Sequence, residues 1–223
     1  MMALDAHSTL FFLCDIQTKF KHAIYGYDQV VATANKMLKL AKILSCRVIC
    51  TTQKARALGP IDPDIDLSPL GRLLVGTYDK TLFSMVTPEV EAILQAEPQI
   101  NSVVLFGIES HVCVLQTMLS LASYPVSVYI VADGVSSCNQ FEVPIALARM
   151  QKEGAIITTS ESIAFQLVKD AAVPEFKSFS SMIKEEKETT KRAGEILLNG
   201  VRGSSQGESG NEKQKSPLTR SVM

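Results

Sequence analysis

The chain has 223 residues, 46% of them hydrophobic, which is enough apolar material for one good-sized α/β domain or a domain with a tail. Its 22 basic and 23 acidic residues leave a formal net charge of −1, so no global field recruits nucleic acid or an anionic membrane. Five cysteines (Cys14, Cys46, Cys50, Cys113 and Cys138) are scattered without a C-x-x-C pair, which argues against a disulfide framework or a zinc cluster and for a reducing compartment.

The N-terminus carries an acid and no basic region before its apolar run, and that run is too short for a signal peptide core or a membrane span. A cytoplasmic location is expected. Thr9–Cys14 is continuously apolar, the mark of a strand covered on both faces in a parallel sheet. Asp15 follows at its C-terminal end, where open α/β sheets build their sites. Residues 30–44 place Val30, Val31, Ala34, Met37, Leu38, Ala41 and Leu44 on one helical face. A second strand is expected over 46–51, then a long loop over 52–70 with Gly59, Pro60, Pro63 and Pro69. A short third strand over 73–78 leads to Asp79 and Lys80. Thr87 and Pro88 open a helix over Pro88–Ala96 as N-cap and first residue.

Residues 102–106 form the next strand, and 107–112 a strand-to-helix turn. Cys113 then lies at the first turn of a helix carrying Val114, Leu115, Met118, Leu119 and Ala122. A strand over 126–132 ends at Asp133. A helix over 142–154 stops at glycine, a short strand covers 155–158, and Ser160–Val168 is a helix with Ser160 as its cap. A last short helix is expected over 174–184. The alternation implies a parallel sheet with helices on both faces. From residue 185 the composition turns charged and Gly/Ser-rich. Residues 1–184 therefore read as the domain and 185–223 as a largely disordered tail, with 184–198 able to continue as a frayed helix.

Three strand ends thus hold Asp15, Lys80 and Cys113. A helix N-terminus offers free backbone N–H groups and a positive dipole end, which favour a thiolate and can cradle an oxyanion. Asp15 can act as general base, and the Lys80 cation favours the charged forms of its neighbours. Cys113 can then attack a carbonyl carbon to give a thioester-type adduct. Singly, each has a plainer reading: a turn aspartate, a solvated lysine, a small buried cysteine.

Together the motifs resemble the isochorismatase-like cysteine hydrolase family. The matching residues are D-x-Q-x-x-F (Asp15, Gln17, Phe20), K-x-x-F-S (Lys80, Phe83, Ser84), G-I-E-S-H-V-C-V over 107–114 and V-A-D-G-V-S-S over 131–137 with Asp133. The segment T-T-S-E-S-I-x-x-Q-L over 158–167 is similar to the eukaryotic isochorismatase-domain-containing branch. The resemblance implies a three-layer α/β/α fold with a six-stranded parallel sheet in the order 3-2-1-4-5-6. It implies an Asp15–Lys80–Cys113 triad, a cis peptide at Ile108–Glu109, and backbone N–H groups of Glu109 and Cys113 as an oxyanion hole. It also implies a homo-oligomer, with which a mean hydropathy of +0.15 agrees.

Metal-binding members carry an Asp-x-His…His set after the second strand. Residues 51–65 here hold no histidine, so no metal or other cofactor is expected and nicotinamide is disfavoured. Retention of Cys113 favours amide or related carbonyl hydrolysis over vinyl-ether cleavage. Gln17, Phe20, Phe83 and His111 are candidate pocket residues, the phenylalanines and His111 equally able to pack or cap. Cys14 reads as core, because alternation turns it away from the face of Asp15. Cys46 and Cys50 read as core, and Cys138 has no evident partner. Substrate selection is assigned to the loop over 54–68, with Lys54 and Arg56. The expected function is hydrolysis of a small amide or related carbonyl compound. The alternative is a binding or assembly protein with little turnover. Nuclease chemistry lacks a basic patch, an aromatic platform and metal carboxylates.

Overall fold

The computed structural model describes residues 4–198. Its centre is a six-stranded, all-parallel sheet in the order β3-β2-β1-β4-β5-β6, as the resemblance implies. In chain order the main elements are β1 (Thr9–Cys14), α1 (Tyr27–Leu44), β2 (Arg47–Gln53), α2 (Ala55–Leu58), β3 (Leu74–Lys80) and α3 (Pro88–Ala96). They continue as β4 (Ser102–Ile108), α4 (Leu115–Leu121), β5 (Ser127–Ser136), α5 (Glu142–Lys152), β6 (Ile156–Thr158), α6 (Ser160–Val168), α7 (Phe176–Glu185) and α8 (Lys187–Leu197).

Every residue of β1 and β4 is buried, which is why their sequences read as unbroken apolar runs. Side chains alternate between two cores. Leu10, Phe12 and Cys14 join Val90, Met118, Leu121, Val143 and Leu147 from α3, α4 and α5. Phe11 and Leu13 join Val30, Met37, Ile163, Phe179 and Leu197 from α1, α6, α7 and α8. Each fully buried Leu or Phe contributes ~1.5–3 kcal/mol of burial free energy, so this double-sided sheet anchors the fold.

The structure departs from sequence expectation in three places. β5 does not stop at Asp133 but runs on, fully buried, to Ser136. Asp133 lies inside it, its carboxylate accepting from the Ser160 backbone N–H at 2.7 Å and from Ser160 Oγ at 2.6 Å. The cap of α6 is Thr159, which accepts from the Ser162 N–H, while Ser160 is occupied by Asp133. The third departure is at the C-terminal end. The expected boundary at residue 184 falls inside α7, and α8 then packs on α1. Lys36 donates to Thr190 Oγ1 at 2.8 Å, Tyr25 OH to the Ile196 carbonyl at 3.0 Å, and Ala193 and Leu197 are buried. Its eleven residues carry too few apolar side chains to announce this packing, but Ala193 and Leu197 are four apart and share one face. Residues 199–223, the remainder of the expected tail, lie outside the described residues.

Candidate active site

The C-terminal ends of β1, β2, β3 and β4 converge on one point. β1 is followed by Asp15, whose φ of 48° lies in the left-handed region that aspartate tolerates better than most residues. Asp15 Oδ1 accepts from Thr51 Oγ1 at 2.8 Å, and Oδ2 accepts from Lys80 Nζ at 2.6 Å. Lys80, the last residue of β3, also donates to Gln53 Oε1 at 2.8 Å and to the carbonyls of Phe83 at 3.0 Å and Leu82 at 3.2 Å. Its Nζ lies 3.7 Å from Cys113 Sγ. The side chains of Asp15 and Lys80 are each 1% exposed, so the pair sits in low dielectric and screening by solvent is weak. Burial pulls the Lys80 pKa down, but Cys14, Asp15 and Cys113 outweigh it and hold the ammonium above its ordinary 10.5. Of these the Asp15 carboxylate is the nearest to the ammonium, at 2.6 Å.

Cys113 sits in a wide, π-helical turn, Ser110–Val114, ahead of α4. Val112 and Val114 N–H both donate to the Glu109 carbonyl at 3.1 Å. The Ile108–Glu109 peptide is cis, as the resemblance implies. Gly107 enters the turn at φ 122°, and a Cβ there would lie 2.1 Å from the Cys14 carbonyl oxygen, so only glycine fits between β4 and β1.

Cys14 is not turned away from the site. It shares the apolar cluster of Cys113, and its Sγ lies 3.7 Å from Asp15 Oδ2. Alternation does separate Cys14 from the next position of a continuing strand, but the left-handed turn at Asp15 swings the carboxylate back to the α4 side. Burial, a hydrogen bond with Cys113 and the charge of Asp15 raise the Cys14 thiol well above its usual range. It is therefore a neutral neighbour of Asp15 and Cys113.

Gln17 braces the frame. It is fully buried, its Nε2 donating to the carbonyls of Gly59 at 2.6 Å and Gln53 at 3.2 Å and its Oε1 accepting from the Gln53 N–H at 2.7 Å. It holds the end of β2, and through Gln53 the position of Lys80. Phe20 packs half-buried against the α1-side core. Phe83 is 53% exposed beside Leu82 at 54%. His111 is half-buried with Nδ1 2.9 Å from Ser137 Oγ. Lys54 and Arg56 are exposed. Thr51 and Gln53 escaped sequence reading, although both end a strand adjacent to β1, where a site at the C-terminal edge of the sheet requires partners. Among the described residues no buried side-chain N or O atom lacks a hydrogen-bond partner, so the polar cluster is fully preorganised. A cleft of about 610 Å³ between α1 and α7, lined by Leu38, Lys39, Leu70 and Met182 among others, lies on the opposite layer and is not lined by Asp15, Lys80 or Cys113.

The family model of the isochorismatase domain matches residues 9–162. The chain belongs to the isochorismatase family. Isochorismatase domain-containing protein 2 of Bos taurus is 42% identical over 178 residues, 80% of this chain and 84% of that protein. The secreted isochorismatase effector Isc1 of Phytophthora sojae is 43% identical over 183 residues, 82% and 87% of the two chains. Among solved structures, one titled MAR1 ribonuclease from Caenorhabditis elegans superposes with a TM-score of 0.74 at 34% identity, covering 82% of this chain and 93% of that one. The YcaC gene product of Escherichia coli, titled an octameric hydrolase of unknown specificity, has a TM-score of 0.71 at 18% identity over 88% and 98% of the chains. At that identity the likeness concerns the fold. The family match runs from β1 past β6 and so includes Asp15, Lys80 and Cys113. Among the described residues no helix is long and apolar enough to cross a membrane.

Proposed function

We propose that this isochorismatase-family chain is a cysteine-dependent hydrolase of a small amide or related carbonyl compound. The supporting observation is one buried ammonium, Lys80, bonded at once to Asp15 Oδ2 at 2.6 Å and touching Cys113 Sγ at 3.7 Å. Asp15 takes the thiol proton, and Lys80 stabilises the resulting thiolate. Cys113 attacks the carbonyl carbon, and the Glu109 and Cys113 backbone N–H groups receive the oxyanion. The proton held by Asp15 passes to the departing amine, leaving a thioester. Asp15 then activates water, whose attack releases the acid and restores the thiol. No step requires a cofactor.

Assembly belongs to the same proposal. Leu82, Phe83, Phe141 and Ile145 are each more than half exposed, apolar side chains that a second copy of the chain would cover. The alternative, a fold kept for binding or assembly with little turnover, draws on the same side chains. The intact triad favours chemistry.

The test is turnover of a panel of small amides by the full chain, with mass spectrometry of the enzyme trapped during turnover. The expected result is an acyl adduct on Cys113 and loss of turnover in Cys113→Ser. An RNA substrate belongs in the panel because one related structure carries a ribonuclease title. RNA cleavage that survives Cys113→Ser, with every amide inert, would defeat the proposal.

A further inference from the structure

Among the described residues, a cluster of metal-ligating side chains stands beside the turn that carries Cys113. Glu109 and His111 project from the turn ahead of Cys113, and Cys138 follows the end of β5. A carboxylate oxygen, a ring nitrogen and the sulfur all lie within 4.8 Å of one another. We propose that Glu109, His111 and Cys138 bind a divalent transition-metal cation of the zinc class, at the rim of the Cys113 turn and independently of the triad.

The donor set is one that zinc accepts: thiolate, imidazole and carboxylate at roughly 2.0–2.3 Å, with a fourth position left for water or ligand. Bonds of that length put tetrahedral ligands roughly 3.3–3.8 Å apart, so closure from the observed spacing needs side-chain shifts of about an ångström. Thiolate and imidazole together select zinc or cobalt over magnesium or calcium.

What distinguishes this cluster from a chance meeting of surface groups is its outer shell. Cys138 N–H donates to Glu109 Oε2 at 2.7 Å, which aims that carboxylate at the cysteine. His111 Nδ1 meets Ser137 Oγ at 2.9 Å, which sets the plane of the imidazole, and the Ser137 hydroxyl is itself bonded to Ser110 Oγ. Two of the three ligands are thus oriented by hydrogen bonds before any metal arrives, the arrangement typical of metal centres. Glu109 and His111 are half-buried and Cys138 is exposed, so the site opens to solvent on one side. The set lies outside the histidine-free loop over 51–65, and Cys113 is not one of its ligands. A metal here would tie the turn of Cys113 to the exit of β5 without entering the carbonyl chemistry.

The experiment is titration of the full chain with cobalt(II), followed by zinc displacement. Wild type should develop a thiolate-to-cobalt charge-transfer absorption that zinc abolishes. The band should be absent in Cys138→Ser and in Cys138→Ala, and retained in Cys113→Ala. In competition with a chromogenic chelator, Cys138→Ser should weaken zinc binding by roughly tenfold or more, since even loss of an outer-shell partner costs that much. Zinc should protect Cys138 from iodoacetamide and leave Cys113 labelling unchanged. An absent band in wild type, a band that survives both Cys138 variants, or a band lost in Cys113→Ala would overturn the assignment. In the last case the metal would sit at the triad. The exposed position of Cys138 makes native melting of its variants the expected folding control.

Discussion

Replacing Lys80 by alanine removes the one cation facing Asp15 Oδ2. Five contacts disappear together: Asp15 at 2.6 Å, Gln53 Oε1 at 2.8 Å, the Phe83 and Leu82 carbonyls at 3.0 and 3.2 Å, and Cys113 Sγ at 3.7 Å. Asp15 keeps the Thr51 hydroxyl at 2.8 Å and the Cys14 thiol at 3.7 Å, neither of which can neutralise a carboxylate that is 1% exposed. Breaking a buried ion pair from one side costs ~3–5 kcal/mol. In a chain of this size each kcal/mol is about 2–4 °C in melting temperature, so the variant should melt roughly 6–20 °C lower. Asp15→Asn combined with Lys80→Met removes both charges and should cost less than Lys80→Ala alone. The Lys80 pKa is raised above 10.5, so its stabilising contribution is complete below that value and is lost only as pH rises through the higher folded value. The part of the difference between wild type and Lys80→Ala that comes from titration of Lys80 itself should therefore be constant at neutral pH and fall only in the alkaline range. Thermal melts, paired with iodoacetamide labelling of Cys113 against pH, measure both consequences. Labelling should move to more alkaline pH in Lys80→Ala and be only partly restored by Lys80→Arg, whose planar guanidinium cannot reproduce the compact ammonium. Unchanged melting together with an unchanged labelling profile would mean that Lys80 is energetically a surface lysine, and the triad would fail with it.

Cys113 should be the first thiol alkylated at neutral pH. Burial pushes the Cys46 and Cys50 thiols up to about 12, and the exposed Cys138 is held protonated by its hydrogen bond to Glu109; peptide mapping that finds Cys138 labelled first would contradict this. Hydrolysis should survive exhaustive chelation, and activity lost in chelator but restored by zinc would show that the chemistry needs a metal. Truncation before Lys191 should destabilise the chain by roughly 2–3 kcal/mol, chiefly through Leu197 and its contacts, in contrast to the neutral effect expected of a tail beginning at residue 185. A melting temperature within a degree of full length would restore that expectation. Gly107→Ala should impair folding outright, because its Cβ would meet the Cys14 carbonyl at 2.1 Å; a variant with native melting and native Cys113 labelling would refute the packing of β4 against β1 at that point.

The strands were open to sequence reading because their causes are local, whereas their order came only from the family resemblance. A run such as Thr9–Cys14 has no polar face and can sit only inside a two-sided sheet, and Thr87–Pro88 can only begin a helix. With alternating strands and helices, the C-terminal edge becomes the place to look, and Asp15, Lys80 and Cys113 stand at three strand ends. The helix Lys187–Leu197 was less legible, because its two buried residues gain their worth only from the α1 surface they meet. The side of the sheet on which Cys14 falls depends on a left-handed turn at Asp15 and on which layer α4 occupies, and neither leaves a periodic trace. Gln17 was a pocket candidate through its place in the D-x-Q-x-x-F motif of the family resemblance. Its three bonds to Gln53 and Gly59 cross 36 and 42 residues of chain. The approach of His111, Ser137 and Glu109 to Cys138 likewise joins two separate strand exits. Sequence determined which residues stand at the edge of the sheet, since apolar periodicity and strand ends are properties of neighbours in the chain. How these residues are joined to one another was decided by tertiary structure, because a hydrogen bond between distant segments depends on where both backbones finally run.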